Sequence, residues 1–109
     1  MLNVVAHEAG AVGGVLFRAL EPTRGIETMR RLRPVHDDRE LTSGPGKMSV
    51  ALGVTRELLG YPLTAPDSPV YILDAPCVAD YCTSHRIGVT RDLPEELRFY
   101  IRGNRFISK

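Results

Sequence analysis

Long apolar runs are missing from this chain of 109 residues. No stretch approaches the ~20 apolar residues that a membrane-spanning helix needs. The opening Met1-Leu2-Asn3-Val4-Val5 has neither the basic start nor the extended apolar segment of a secretory signal. Cysteine is scarce as well. Cys77 and Cys82 do not make a disulfide framework, so both are expected as free thiols in a cytoplasmic setting. Charge of one sign is lacking, since the formal net charge is only +1 and no broad cationic surface advertises nucleic acid. There is no internal repeat and no low-complexity segment. With 43% hydrophobic and 25% charged residues, disorder throughout is excluded. Lysine is the other shortage: of the 14 basic residues only Lys47 and Lys109 are lysine, and the other 12 are arginine. Arginine suits bidentate phosphate contacts, although a biased codon composition would give the same excess. A chain this short holds at most one small domain and buries a thin core.

What is present begins with Arg18. It lies in Gly14-Val15-Leu16-Phe17-Arg18-Ala19-Leu20-Glu21-Pro22, an apolar run that reads as a strand with Leu16 and Leu20 on the same face as the arginine. A guanidinium does not lose its proton in a protein, so it must find a carboxylate, carbonyls, a phosphate or a held water. Met1 to Ala6 reads as a second strand, already under way at the first residue. The two form a hairpin that turns through Glu8-Ala9-Gly10-Ala11. If the turn is centred between Gly10 and Ala11, Asn3 lies directly opposite Arg18 on one face. A one-residue slip would destroy that pairing.

Pro22 ends the strand, and Arg24 to Arg33 reads as a short helix. It buries Ile26, Met29 and Leu32 and leaves its arginines mostly outside. Val35 to Leu41 reads as a polar loop. Ser43 is placed to cap a second helix with Pro45 in its first turn, Met48, Ala51 and Leu52 on its inner face, and Gly53 at its exit. Thr55 to Leu59 forms a further turn, and the proline-rich segment from Tyr61 to Pro69 is loop. Short strands are expected at Val70 to Leu73 and Ser84 to Val89. Leu97 to Arg102 alternates, with Leu97, Phe99 and Ile101 on one face and Arg98, Tyr100 and Arg102 on the other. The order predicts an α+β fold: a mostly antiparallel, curved sheet with a few short helices in a single small domain.

Several chemistries are tested by these residues. Cys77, Cys82 and His85 match none of the usual zinc spacings and lack a fourth ligand, so no metal is expected. No nucleophile elbow is present, and neither cysteine carries the local signature of a nucleophile. Ser43-Gly44-Pro45-Gly46-Lys47 lacks the spacing of a nucleotide-binding phosphate loop. It is either a single-phosphate site at a helix start or simply a tight helix entry. Arg98 and Arg102 share a face with Tyr100, which suits a nucleic-acid backbone or a solvated strand face.

Read in order, Asn3-Val4-Val5, Val15 to Pro22 (with its Arg18-Ala19-Leu20-Glu21-Pro22 core), Gly25 to Arg30, Leu41 to Met48 (with its Ser43-Gly44-Pro45-Gly46-Lys47 element), Arg86-Ile87-Gly88-Val89 and Leu97 to Gly103 form a series. The series resembles the alkyladenine, or 3-methyladenine, DNA glycosylase family over almost the whole chain, with residues 1–109 corresponding to the C-terminal portion of such an enzyme. The resemblance implies base-excision repair. The enzyme would hydrolyse the N-glycosidic bond of alkylated or deaminated purines flipped out of duplex DNA. It implies that Arg18 and the main-chain carbonyl of Ile87 help to hold the attacking water, and that Asn3 lines the base pocket. It also implies that Lys47, with Gly44 and Gly46, contacts the DNA backbone, and that no cofactor takes part. The family's catalytic glutamate, its wedging tyrosine and the residues that sandwich the base have no counterpart here, and Glu21 reads as structural. Little or no glycosylase activity is therefore expected of the chain alone. The alternatives are an inactive DNA-binding remnant or a scaffold completed by an upstream segment. The remaining expectations are damaged duplex DNA as partner, a cytoplasmic setting at the bacterial nucleoid, no membrane association, and self-association through the exposed N-terminal strand.

Overall fold

Gly10 sets the first element. The computed structural model describes residues 1–108. There Gly10 has φ +83° at the third position of a turn closed by a hydrogen bond from Ala11 N–H to Glu8 O at 3.1 Å. A positive φ at that position alone is the type II requirement, and it centres the turn between Ala9 and Gly10. Strand β1 (Asn3–Val5) therefore pairs antiparallel with β2 (Gly14–Leu16) as Asn3 with Leu16, Val4 with Val15 and Val5 with Gly14. The expected pairing of Asn3 with Arg18 is thus corrected by two residues. Phe17 N–H still donates to Leu2 O at 3.1 Å, so the pairing runs up to Arg18, which faces Met1 in this register. Because side chains alternate with a period of two, the shift leaves Asn3 and Arg18 on the same side of the hairpin.

Three short helices follow: α1 (Ile26–Leu32), α2 (Asp38–Thr42) and α3 (Pro45–Ala51), then a 3₁₀ turn at Arg56–Leu58. Helix α2 occupies much of the expected loop. Asp37 caps it, its Oδ1 accepting from Arg39 N–H at 2.9 Å. Ser43 terminates α2 rather than capping α3, whose N-cap is Gly44. The core is small: Leu41 and Met48 at 0% exposure, with Ala51 and Phe106 buried beside them. Leu52 falls past the last turn of α3 and is exposed, and Ser49 is buried in its stead with Oγ donating to Pro45 O at 2.7 Å. In α1, Ile26 and Met29 are half-buried but Leu32 is exposed. Arg30 is held in by 2.7 Å bonds to Glu27 and Asp38, and Arg33 donates to Glu40 O, so both are partly covered, against expectation.

The second ladder pairs β3 (Tyr81–Ser84) with β4 (Arg98–Ile101), also antiparallel. The fold is α+β with antiparallel pairing, as expected, and its pairing is divided into two two-stranded ladders. The strand expected at Ser84 to Val89 is corrected, because β3 ends at Ser84 and a loop begins there. Val70 to Leu73 forms no strand either: Ile72 N–H donates to Leu63 O at 2.7 Å, but no ladder accepts the segment. Around β4 the exposure is the reverse of an amphipathic surface strand. Phe99 is 65% exposed, with Leu97 and Ile101 also open, whereas Arg98 and Tyr100 are half-buried. Among the described residues no helix is long and apolar enough to cross a membrane.

The chain exposes 8607 Å², against about 6000 Å² for a compact monomer of its mass. The surplus is apolar to a large extent, including Val5, Val12, Leu59 and Phe99.

After β3, the loop is held by Asp92. One carboxylate oxygen accepts from Arg86 N–H at 2.9 Å and the other from Arg86 Nε, while His85 Nδ1 lies 3.7 Å away. The Arg86 hydrogen bond lowers the Asp92 pKa from 3.8, and main-chain donors at Leu93 and Arg86 add to the effect. A carboxylate with a depressed folded pKa stabilises the fold above its ordinary value and loses that contribution as pH falls through the lowered one. Asp92→Asn is therefore expected to weaken the fold near neutral pH. Denaturant titrations should show the gap to wild type closing as pH drops well below 3.8. A gap unchanged at acid pH would contradict the assignment.

Candidate functional site

Arg18 lies one residue beyond the hairpin pairing and is half-buried. Its Nε donates to Ser108 Oγ at 3.3 Å across 90 positions of sequence. Among the described residues its other nitrogens have no protein acceptor within hydrogen-bond distance. Nη2 lies against the loop after β3: a methyl group built on Gly88 would sit 3.8 Å from it. Gly88 has φ +71°, so glycine allows the backbone to turn there without strain. Ile87, half-buried, is the residue before it. The fold thus brings the end of the first hairpin, Gly88 and Ser108 into one cluster, in which, among the described residues, two guanidinium nitrogens have no acceptor.

Two tethers fix the segment that carries Arg18. Thr42, 1% exposed, donates through Oγ1 to Leu20 O. Glu21 accepts from Asn104 Nδ2 at 2.9 Å. The first tether also sets the glycine-rich entry of α3, which begins two residues beyond Thr42. Gly44 is extended there (φ 179°) and caps α3 without a side-chain hydrogen bond. Gly46 and Lys47 are exposed on the surface. Lys47 packs its stem toward Gly44, where a Cβ would meet Lys47 Cδ at 3.7 Å.

Asn3 sits opposite Leu16 rather than Arg18. It is exposed and lines a cleft of about 360 Å³ whose other walls include Val54, Leu58, Tyr61 and Pro62. Arg18 does not line this cleft, so the fold keeps the two residues on one side of the hairpin without joining them in one cavity.

The late arginines are committed to structure. Arg98 donates from Nη1 to Ser84 Oγ at 3.0 Å and from Nη2 to Ser108 O at 2.7 Å, and its guanidinium lies 4.4 Å over the Tyr100 ring. Arg98 is neither solvated nor a free phosphate ligand, which corrects both readings at that residue, whereas Arg102 stays exposed as a solvated face would have it. Arg102 pairs with Asp80 at 2.8 Å at the surface. Cys77 and Cys82 are free, and Cys82 sits in β3 across from Tyr100. Among the described residues no group of three or more His, Cys, Asp or Glu gathers as metal ligands would. Ser108 is the site residue that sequence reasoning misses. No local pattern marks it, because its partners are Arg18 and Arg98.

A family model described as methylpurine-DNA glycosylase matches residues 1–105. Among curated relatives, a protein of Rhodopseudomonas palustris (strain BisB18), provisionally named 3-methyladenine DNA glycosylase, is 44% identical over 108 residues. The match covers 99% of this chain and 53% of the relative. A protein of the same name from Mesorhizobium japonicum is also 44% identical over 108 residues, covering 99% of this chain and 52% of its own length. One from Salinibacter ruber is 39% identical, again over 99% of this chain and 52% of the relative. The chain spans about half the length of the curated relatives it matches. With a family match that runs from the first residue to Arg105, the chain belongs to the methylpurine-DNA glycosylase family.

Proposed function

We propose that residues 1–109 form the C-terminal part of a base-excision DNA glycosylase acting on alkylated or deaminated purines. The damaged nucleotide is flipped out of the duplex, because its glycosidic bond is out of reach inside the stack. Water adds to C1′ as the C1′–N bond breaks and the sugar takes on oxocarbenium-like charge. Arg18 donates to that water through its free nitrogens, and the Ile87 carbonyl accepts from it. Asn3 lines the base pocket and disfavours the exocyclic amino group of guanine. Lys47, with the main chain of Gly44 and Gly46, meets the DNA backbone. The observation that carries the reading is the position of Arg18, half-buried and held at Nε, with Nη2 against Gly88, the residue after Ile87. Exposed Lys47 on the segment tied to Leu20 supports the backbone contact.

The general base lies outside these residues. Glu21, the carboxylate nearest Arg18 in sequence, is engaged by Asn104. No cofactor or metal is required by this chemistry, and the setting is the bacterial cytoplasm at the nucleoid.

The purified chain is therefore expected to excise no hypoxanthine from duplex DNA. Supplying, as a separate polypeptide, the part of the Rhodopseudomonas palustris relative that this chain does not match should restore excision. Arg18→Ala in the restored pair should then cost about 10²–10³-fold in rate. Robust excision by the chain alone, or a restored pair indifferent to Arg18, would sink the proposal. If the pair forms and binds abasic duplex in a salt-dependent way but never cleaves, the chain is a DNA-binding scaffold.

The exposed surface supports a second element of the proposal. An excess of about 2600 Å² is the size of an obligate interface, and both hairpin strands have an unpaired edge. Without the complementary part, the chain self-associates through its first strands and the open face of β4. Sedimentation analysis should show mass rising with concentration, and a cooperative melt of a clean monomer would count against it.

A further inference from the structure

Ser108 is buried, at 5% exposure, and both of its polar oxygens are used. Its hydroxyl accepts from Arg18 Nε at 3.3 Å and its carbonyl accepts from Arg98 Nη2 at 2.7 Å. Arg98 is itself fixed by Ser84 Oγ at 3.0 Å and by stacking on Tyr100. A continuous polar path thus runs from the β3–β4 ladder through Arg98 and Ser108 to Arg18.

The geometry of a guanidinium gives that path a consequence. The group is planar and carries five N–H donors in a fixed fork. Anchoring Nε fixes the plane of the group and with it the positions of both terminal nitrogens. Here Nη2 is set 3.8 Å from where a Gly88 methyl would be. An arginine free at Nε keeps several rotamers within reach, and its donors spread over a wide volume. We infer that Ser108 is a positioning residue: it orients Arg18 by accepting from Nε, and Arg98 holds Ser108 in place to do so. The inference rests on the reading of Arg18 as the residue that meets the flipped nucleotide, but the tether is open to test without it.

The test uses the chain labelled with ¹⁵N-arginine. The Nε–H resonance of Arg18, assigned by its loss in Arg18→Lys, is expected to be resolved and protected from exchange. Ser108→Ala should shift it and remove the protection, Ser108→Thr should keep both, and Arg98→Lys should weaken both by releasing Ser108. Melting curves of the same variants separate this effect from general loosening, since Ser108→Thr and Ser108→Ala must differ at Arg18 even where they melt alike. An Arg18 resonance identical in wild type and Ser108→Ala overturns the inference. A duplex with a single abasic site then serves as the probe for the reading beneath it. Affinity should fall about fivefold in Ser108→Ala, the worth of one net hydrogen bond, and recover in Ser108→Thr. If the resonance responds to Ser108 but the affinity does not, the tether stands and the placement of Arg18 against the nucleotide fails.

Discussion

A permanent cation close to the chain's thin interior is the constraint on which this structure depends. Arg18 cannot shed its charge, and the apolar strand around it offers no acceptor. The fold answers with Ser108, which comes from the other end of the chain, is buried, and is fixed by a second arginine. Among the described residues, one donor of the guanidinium is met and the outer pair is not, so the group is held but not neutralised.

The same economy runs through the rest of the molecule. Among the described residues four side chains make up the buried apolar core, too few to hold more than 100 residues by apolar burial alone. Long-range order rests instead on polar ties between distant segments: Thr42 to the Leu20 carbonyl, Asn104 to Glu21, Arg98 to Ser84 and Ser108. Each contributes about 0.5–1.5 kcal/mol net, more where a charge is involved. These ties converge on the stretch from Arg18 to Glu21. Meanwhile the apolar side chains of β4 and the edges of the hairpin face outward. The chain matches about half of its relatives' length and leaves these apolar side chains uncovered.

The elements whose signals are local were legible. The hairpin, α1, the proline start of α3 and the turn after it follow from alternation, helical spacing and proline or glycine placement. Helix α2 was also legible in principle. Asp37 followed three residues on by Glu40 is a capping pattern, set in a segment whose polarity reads as loop. The strand expected at Val70 failed for a different reason. An apolar quartet becomes a strand only if a neighbour donates and accepts along it, and none does. The reversed faces of β4 have the same origin. Alternation shows that two faces differ, but Arg98 found acceptors on the covered side while Phe99 did not find a cover.

By itself, the sequence determined the family, the α+β class and the turn residues of the first hairpin. Side-chain type, spacing and order carry those, and they survive any small error of register. The structure decided the register, shifted by two because Gly10 takes its positive φ at the third position of the turn. It also decided the separation of Asn3 from Arg18 into different surroundings, and the choice of Ser108 as the partner of Arg18. Those outcomes depend on which distant groups meet when the chain closes on itself. A hydrogen bond spanning 90 positions leaves no trace in the local pattern at either end.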